Sequence, residues 1–166
     1  YKSIDGGQSW YGIGNEIGES AAFNGPFEIS SSNPDIMYAG AQSLWRSNDA
    51  GESWFPVTDI IADGDVILSI AISPDNPDLV YCSTAPSTTD QARVFKVDAS
   101  TGTATQMTGL PNRYCMDFAF YPGVPGTVFA VFAGFNTQHV WRTVNDGATW
   151  TAIDNGLPDV PTNSIL

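Results

Sequence analysis

Three short stretches of this chain each gather an acid or amide, hydroxyls and an indole. They are Ser3-Ile4-Asp5-Gly6-Gly7-Gln8-Ser9-Trp10, Ser47-Asn48-Asp49-Ala50-Gly51-Glu52-Ser53-Trp54 and Thr143-Val144-Asn145-Asp146-Gly147-Ala148-Thr149-Trp150. Taken singly, each resembles a catalytic motif. Their recurrence argues otherwise, because a group needed in every repeat serves every repeat. Asp5, Asp49 and Asn145 are therefore expected to build turns, as is Asp98 in the faded copy Val94–Gly102. Acids that break the repeat are better candidates for chemistry. Aligning the chain on Pro34, Pro77 and Pro125 sets Glu28 opposite Ala71 and Ala119, and Asp117 opposite Pro26 and Ser69. A carboxylate pair at such positions could do acid/base work on a glycosidic bond. The plainer reading is a pair of solvated acids.

The elements that must position these residues repeat with them. Asn33-Pro34-Asp35-Ile36-Met37-Tyr38-Ala39 matches Asn76-Pro77-Asp78-Leu79-Val80-Tyr81-Cys82, and Val124–Ala130 is a weaker copy. An aromatic-basic pair leads into each box: Tyr1-Lys2, Trp45-Arg46, Phe95-Lys96 and Trp141-Arg142. A period of this length marks one supersecondary unit per repeat. Each full unit reads as four short strands, in the second unit about 66–73, 78–83, 93–98 and 103–108. These runs are rich in β-branched and aromatic residues and bounded by Gly, Pro, Asn and Asp. No stretch keeps a 3.6-residue apolar period, so few helices are expected.

On these boxes and the spacing between them, the chain resembles the BNR/Asp-box β-propellers, and the likeness covers nearly its whole length. The resemblance implies an all-β propeller of four-stranded antiparallel blades, with the box as the hairpin between the third and fourth strands. The physical roles within the box follow from its residue types. The Asp or Asn side chain accepts backbone N–H bonds inside the turn. Gly7, Gly51 and Gly147 supply positive φ. Trp10, Trp54 and Trp150 are apolar plates that seal the hairpin. The expected organisation is a partial blade over 1–20, blades over about 21–58, 64–111 and 112–158, and the start of a further blade at 159–166, an arc of a larger propeller.

In such folds first strands line a central channel, and the loops after second and fourth strands share a ligand-binding face. That places Glu28 and Asp117 on the channel, and Arg113 is the one arginine expected to face it. The loop after the second strand is short at 40–43, long at Ser83–Ala92 and intermediate at Ala133–His139. The last carries Phe135, Asn136, Gln138 and His139, an aromatic beside amides, which suits a sugar. His139 is the only histidine and has no nucleophile motif beside it. Sialidase chemistry is not expected, because the chain has too few arginines for a carboxylate-binding cluster.

Acidic residues outnumber basic ones 18 to 6, for a net charge of −12. That opposes nucleic acid and anionic membranes as partners. The scattered carboxylates could recruit Ca²⁺, but no metal-ligand spacing is visible and no cofactor is expected. Cys82 and Cys115 read as buried thiols, with a disulfide between neighbouring blades as the alternative. The reading that follows is a secreted or cell-surface bacterial propeller. Its partners would be a glycan or protein on the loop face and the remaining blades of its own chain. The leading function is non-catalytic binding or adhesion. Part of a xyloglucanase-like glycoside hydrolase is one alternative, and a spacer in a surface fibre is another.

Overall fold

Short apolar runs broken by glycine and proline form strands here because each run is just long enough to cross one blade. A computed structural model describes residues 1–86 and 91–166. It contains three four-stranded antiparallel sheets, each a simple meander. The first holds β1 (Phe27–Ile29), β2 (Met37–Gly40), β3 (Leu44–Ser47) and β4 (Phe55–Pro56). The second holds β5 (Val66–Ile72), β6 (Leu79–Ala85), β7 (Val94–Asp98) and β8 (Thr103–Gln106). The third holds β9 (Cys115–Phe120), β10 (Val128–Phe132), β11 (Val140–Thr143) and β12 (Thr151–Ala152). Among the described residues the helical content is one 3₁₀ turn, Ala62–Gly64. Within residues 1–20 the strand-like pairing is a bridge between Lys2 and Tyr11.

The apolar cores lie between sheets. Tyr38 and Leu44 of the first sheet pack on Ile67, Ile70, Val80 and Phe95 of the second. Tyr81 and Val94 of the second pack on Phe118, Val128, Phe132 and Trp150 of the third. Ile17 comes from the N-terminal segment to cover Trp45 and Trp54. Each fully buried Leu, Ile or Val contributes about 1.5–3 kcal/mol, so these interfaces dominate the stability. Gly40 lies where the first two blades approach closely. A Cβ there would lie 2.7 Å from Ile67 Cγ2. The neighbouring carbonyl, Ala41 O, accepts the Ile67 N–H at 2.8 Å.

The eight-residue boxes form hydrogen-bonded turns of one design. In the second, Ser47 Oγ donates to Asp49 Oδ1 at 2.7 Å and accepts from Gly51 N at 2.8 Å. Ser53 then donates its N–H to Asp49 Oδ1 and its hydroxyl to Oδ2, at 2.9 and 2.6 Å. The first box repeats this around Asp5, with Ser3, Gly7 and Ser9 in the same places. In the third, Asn145 Oδ1 accepts from Thr143 Oγ1 and Thr149 N, while its Nδ2 donates to Thr149 Oγ1. Gly51 sits at φ +88°, a conformation that suits glycine.

The faded copy at Asp98 closes differently. Its hairpin lacks the Trp but has a longer final strand, and β7 and β8 pair from Phe95↔Gln106 to Asp98↔Thr103. Trp54 and Trp150 are buried, whereas Trp10 is 62% exposed. Cys82 and Cys115 are buried free thiols on neighbouring sheets.

Candidate functional site

The first strands of the three sheets, β1, β5 and β9, lie side by side and line a cleft of about 480 Å³. Strand alternation decides which residues point into it. Glu28 pairs with Tyr38 across β1–β2, and Asp117 pairs with Val131 across β9–β10. Both line the cleft, with Ala71 of β5 between their strands, and Ile165 and Leu166 close one side. The two acids that break the repeat therefore share one site even though their blades are not neighbours.

Their environments differ. Asp117 is held from several directions: Oδ1 accepts the Phe118 N–H at 2.8 Å, and Oδ2 accepts from Ser164 Oγ at 3.0 Å and Ile165 N at 3.1 Å. The Glu28 carboxyl makes no hydrogen bond among the described residues. Partial burial raises its pKa, and the charge of Asp117 raises it further. A carboxyl that holds its proton more tightly, opposite a fixed carboxylate, is an arrangement that can divide acid and base roles.

A second cluster forms at the loop end. Phe135 is 58% exposed on the β10–β11 loop. Asn136 sits at φ +57°, and its backbone N–H points to both oxygens of Asp159 at 3.0 and 2.9 Å. Gln138 is exposed, and its carbonyl accepts from Trp141 Nε1 at 3.1 Å. Arg113 lies in the β8–β9 connection and packs over Gly134, where a Cβ would meet its Cδ at 2.9 Å. The channel position expected for Arg113 is thus corrected, since its side chain caps this loop and is absent from the cleft lining.

His139 differs most from its neighbours. It is buried, with Nδ1 against Phe132 O at 3.0 Å and Nε2 against Asp159 Oδ1 at 2.9 Å. Both ring nitrogens are engaged, so it ties the loop to Asp159 and has no nitrogen left to offer a ligand. Burial lowers its pKa, but the Asp159 hydrogen bond, the Phe132 carbonyl and the charges of Asp159 and Asp154 together leave it raised. Asp159 is held below the usual carboxylate range by the Asn136 N–H and by His139. Nothing in the sequence marked Asp159, one of two acids beyond the last box, whose partners depend on chain packing.

The part of the long loop at 87–90 lies outside the described residues. Among the described residues no group of three or more His, Cys, Asp or Glu could hold a metal ion. No helix among them is long and apolar enough to cross a membrane.

No family model and no curated protein matches the chain. Solved structures do match. An ancestral GH74 enzyme superposes with a TM-score of 0.58 at 19% identity, over 76% of this chain and 18% of that one. The GH74 enzyme of Niastella koreensis gives 0.56 at 18%, over 75% and 21%. YCF48 from Cyanidioschyzon merolae gives 0.51 at 15%, over 81% and 40%. The chain folds as β-propeller blades. Likeness at these identities establishes the architecture alone. The chain spans between about a fifth and two fifths of the length of these propellers.

Proposed function

We propose that the chain is part of an exported propeller of the BNR/Asp-box kind, acting as a non-catalytic binding or adhesion module. The ligand is a glycan or protein held on the loop face. One observation carries this reading: the box acids are spent inside their own turns, while the β10–β11 loop displays an exposed Phe135 next to Gln138 and Arg113. An aromatic face with amide and guanidinium donors around it suits a sugar ring and its hydroxyls. A glycan array probed with the chain tests this. Binding that weakens about tenfold or more in Phe135→Ala, as loss of a ring contact worth over 1 kcal/mol requires, supports the reading. An array without hits favours the spacer role instead.

A second reading, a share in a glycoside hydrolase, is favoured by the cleft that joins Glu28 and Asp117. The GH74 neighbours support it at the level of fold. In that reading Glu28 supplies the proton and Asp117 the negative charge. Turnover of a β-glucan panel by the full-length protein, lost in Glu28→Gln and Asp117→Asn, would replace binding with catalysis. Turnover that survives both substitutions removes these two acids.

A further inference from the structure

Most basic side chains of this acidic protein are neutralised by the chain itself. Lys2 pairs with Glu52, Arg46 with Asp78, Arg93 with Asp63 and Lys96 with Asp146. Arg113 makes no ion pair among the described residues, and it is exposed. It also breaks the repeat. Aligned on Pro77 and Pro125, Arg113 stands where the second unit has Asp65, a fully buried acid. A cation left bare in a chain of net charge −12 is a departure of the same kind as Glu28 and Asp117.

The side chain is nonetheless held. Its stem lies over Gly134, where a Cβ would come within 2.9 Å of Cδ and 3.2 Å of Nε. Gly134 sits at φ +99°, so the loop offers bare backbone as the seat. Nη1 donates to the Asn112 carbonyl at 2.8 Å, and the rest of the N–H fork makes no hydrogen bond among the described residues. A guanidinium fixed at its stem and bare at its tip gives up little freedom when it meets a planar anion through two N–H groups. Exposed aromatics flank it: Phe135 follows Gly134, and Tyr114 follows Arg113. The acids that reach this loop are already engaged. Asp159 accepts the Asn136 N–H and lies against His139 Nε2, and Asp154 accepts the His139 N–H.

We infer that the ligand at this loop is an anionic sugar, a uronate or a sulfated unit, with its charged group on the Arg113 guanidinium and a ring face on Phe135. The inference rests on the binding reading above and adds the charge to it. A neutral sugar would offer the fork hydroxyls alone. A carboxylate or sulfate accepts two of its N–H bonds, and these are stronger when the acceptor is charged. An acidic peptide could supply the same charge, but Phe135 with exposed Gln138 in the same loop suits a ring face and its hydroxyls. Nucleic acid and anionic membranes need a broad basic surface, whereas one charged sugar needs one cation. The surplus of acids elsewhere does not forbid an anion here, because exposed charges more than about 10 Å away are largely screened at ~0.1 M salt.

Calorimetric titration of the chain tests this with two anionic sugars, each set against its neutral counterpart. The probes are an oligogalacturonate with its fully methyl-esterified form, and a sulfated galactan oligosaccharide with its desulfated form. One anion should bind about tenfold or more tightly than its counterpart, and which one does so tells carboxylate from sulfate. Arg113→Gln should bring that ratio close to one while keeping the parent's Tm, since the residue is exposed. Arg113→Lys, which keeps the charge without the fork, should retain part of the preference. Phe135→Ala should weaken both members of the pair and keep their ratio. Equal binding of anion and counterpart, or a ratio that survives Arg113→Gln, would overturn the inference and leave the glycan-binding reading standing. Absence of binding by every probe overturns it too, and the glycan array then decides that reading separately. An oligoglutamate bound as tightly as the anionic sugar, and lost in Arg113→Gln, would assign the site to acidic peptide and also overturn it.

Discussion

The Tyr38 phenol donates to the Pro77 carbonyl of the next blade at 2.8 Å. Tyr81 occupies the same place one blade later and is equally buried, but its hydroxyl has no partner among the described residues. The two joints share an aromatic plug and differ in whether its polar tip is satisfied. Burial raises both phenols, Tyr38 to about 12. A made hydrogen bond contributes about 1 kcal/mol net, while a buried unpaired hydroxyl costs about 1–3 kcal/mol.

Tyr38→Phe is therefore expected to destabilise the chain by about 1 kcal/mol, and Tyr81→Phe to be neutral or stabilising. Urea denaturation of the two variants checks this. Equal losses in both would show that the Pro77 bond contributes nothing.

Gly40 should tolerate no side chain. Its virtual Cβ lies 2.7 Å from Ile67 Cγ2 and 2.7 Å from Pro26 Cγ, inside the joint between the first two blades. Gly40→Ala is expected to cost about 1–3 kcal/mol by overpacking. Pairing it with Ile67→Ala, which removes Cγ2, in a double-mutant cycle should recover part of the loss. If the two penalties simply add, the clash is not where the geometry puts it.

The box acids should set the acid limit of the fold. Hydrogen bonds from the Ser9 hydroxyl and backbone hold Asp5 at about 2, and those from Ser53 do the same for Asp49. A folded pKa depressed below 3.8 contributes stability that is present above pH 3.8 and lost as pH falls toward 2. Asn145 makes the same turn without a titrating group. Asp49→Asn should therefore keep the turn and flatten the decline of Tm over that interval. A variant as acid-sensitive as the parent would assign the decline to other groups.

The His139–Asp159 tie should be strongest in mildly acidic solution. The His139 pKa is raised above 6.5, so its contribution is whole below that pH and fades as pH climbs through the raised value. Asp159 is lowered below 3.8, so its share fades as pH falls beneath that. Between these limits Asp159→Asn should lower the Tm most, and the gap from the parent should narrow at higher pH. Thermal melts across the range read this directly, and a gap that widens in alkali would contradict the charged pair.

The boxes were legible in the sequence because their bonds close within eight residues: Ser47, Asp49, Gly51 and Ser53 meet whatever the rest of the chain does. The strands were nearly as legible. The second sheet was expected at 66–73, 78–83, 93–98 and 103–108 and lies at Val66–Ile72, Leu79–Ala85, Val94–Asp98 and Thr103–Gln106. The misreadings involve contacts across loops. Arg113 is expected on the channel because the other arginines hold repeated or third-strand positions, but it lies in the connection before β9 and its side chain packs over Gly134. His139 is expected among the ligand-binding loop residues, but its ring nitrogens are engaged by the Phe132 carbonyl and by Asp159, a partner outside its own hairpin.

By itself the sequence determined the period, the turns and the residues that break the repeat, all consequences of local hydrogen bonding and strand alternation. The tertiary structure alone decided which departures meet. Glu28 and Asp117 share a cleft because β5 brings β1 and β9 to the same side of their sheets. Tyr38 finds an acceptor and Tyr81 none among the described residues because the packing of successive blades places the neighbouring backbone differently at the two joints. Such relations between residues of different blades depend on how one sheet turns against the next, and no window of sequence contains that angle.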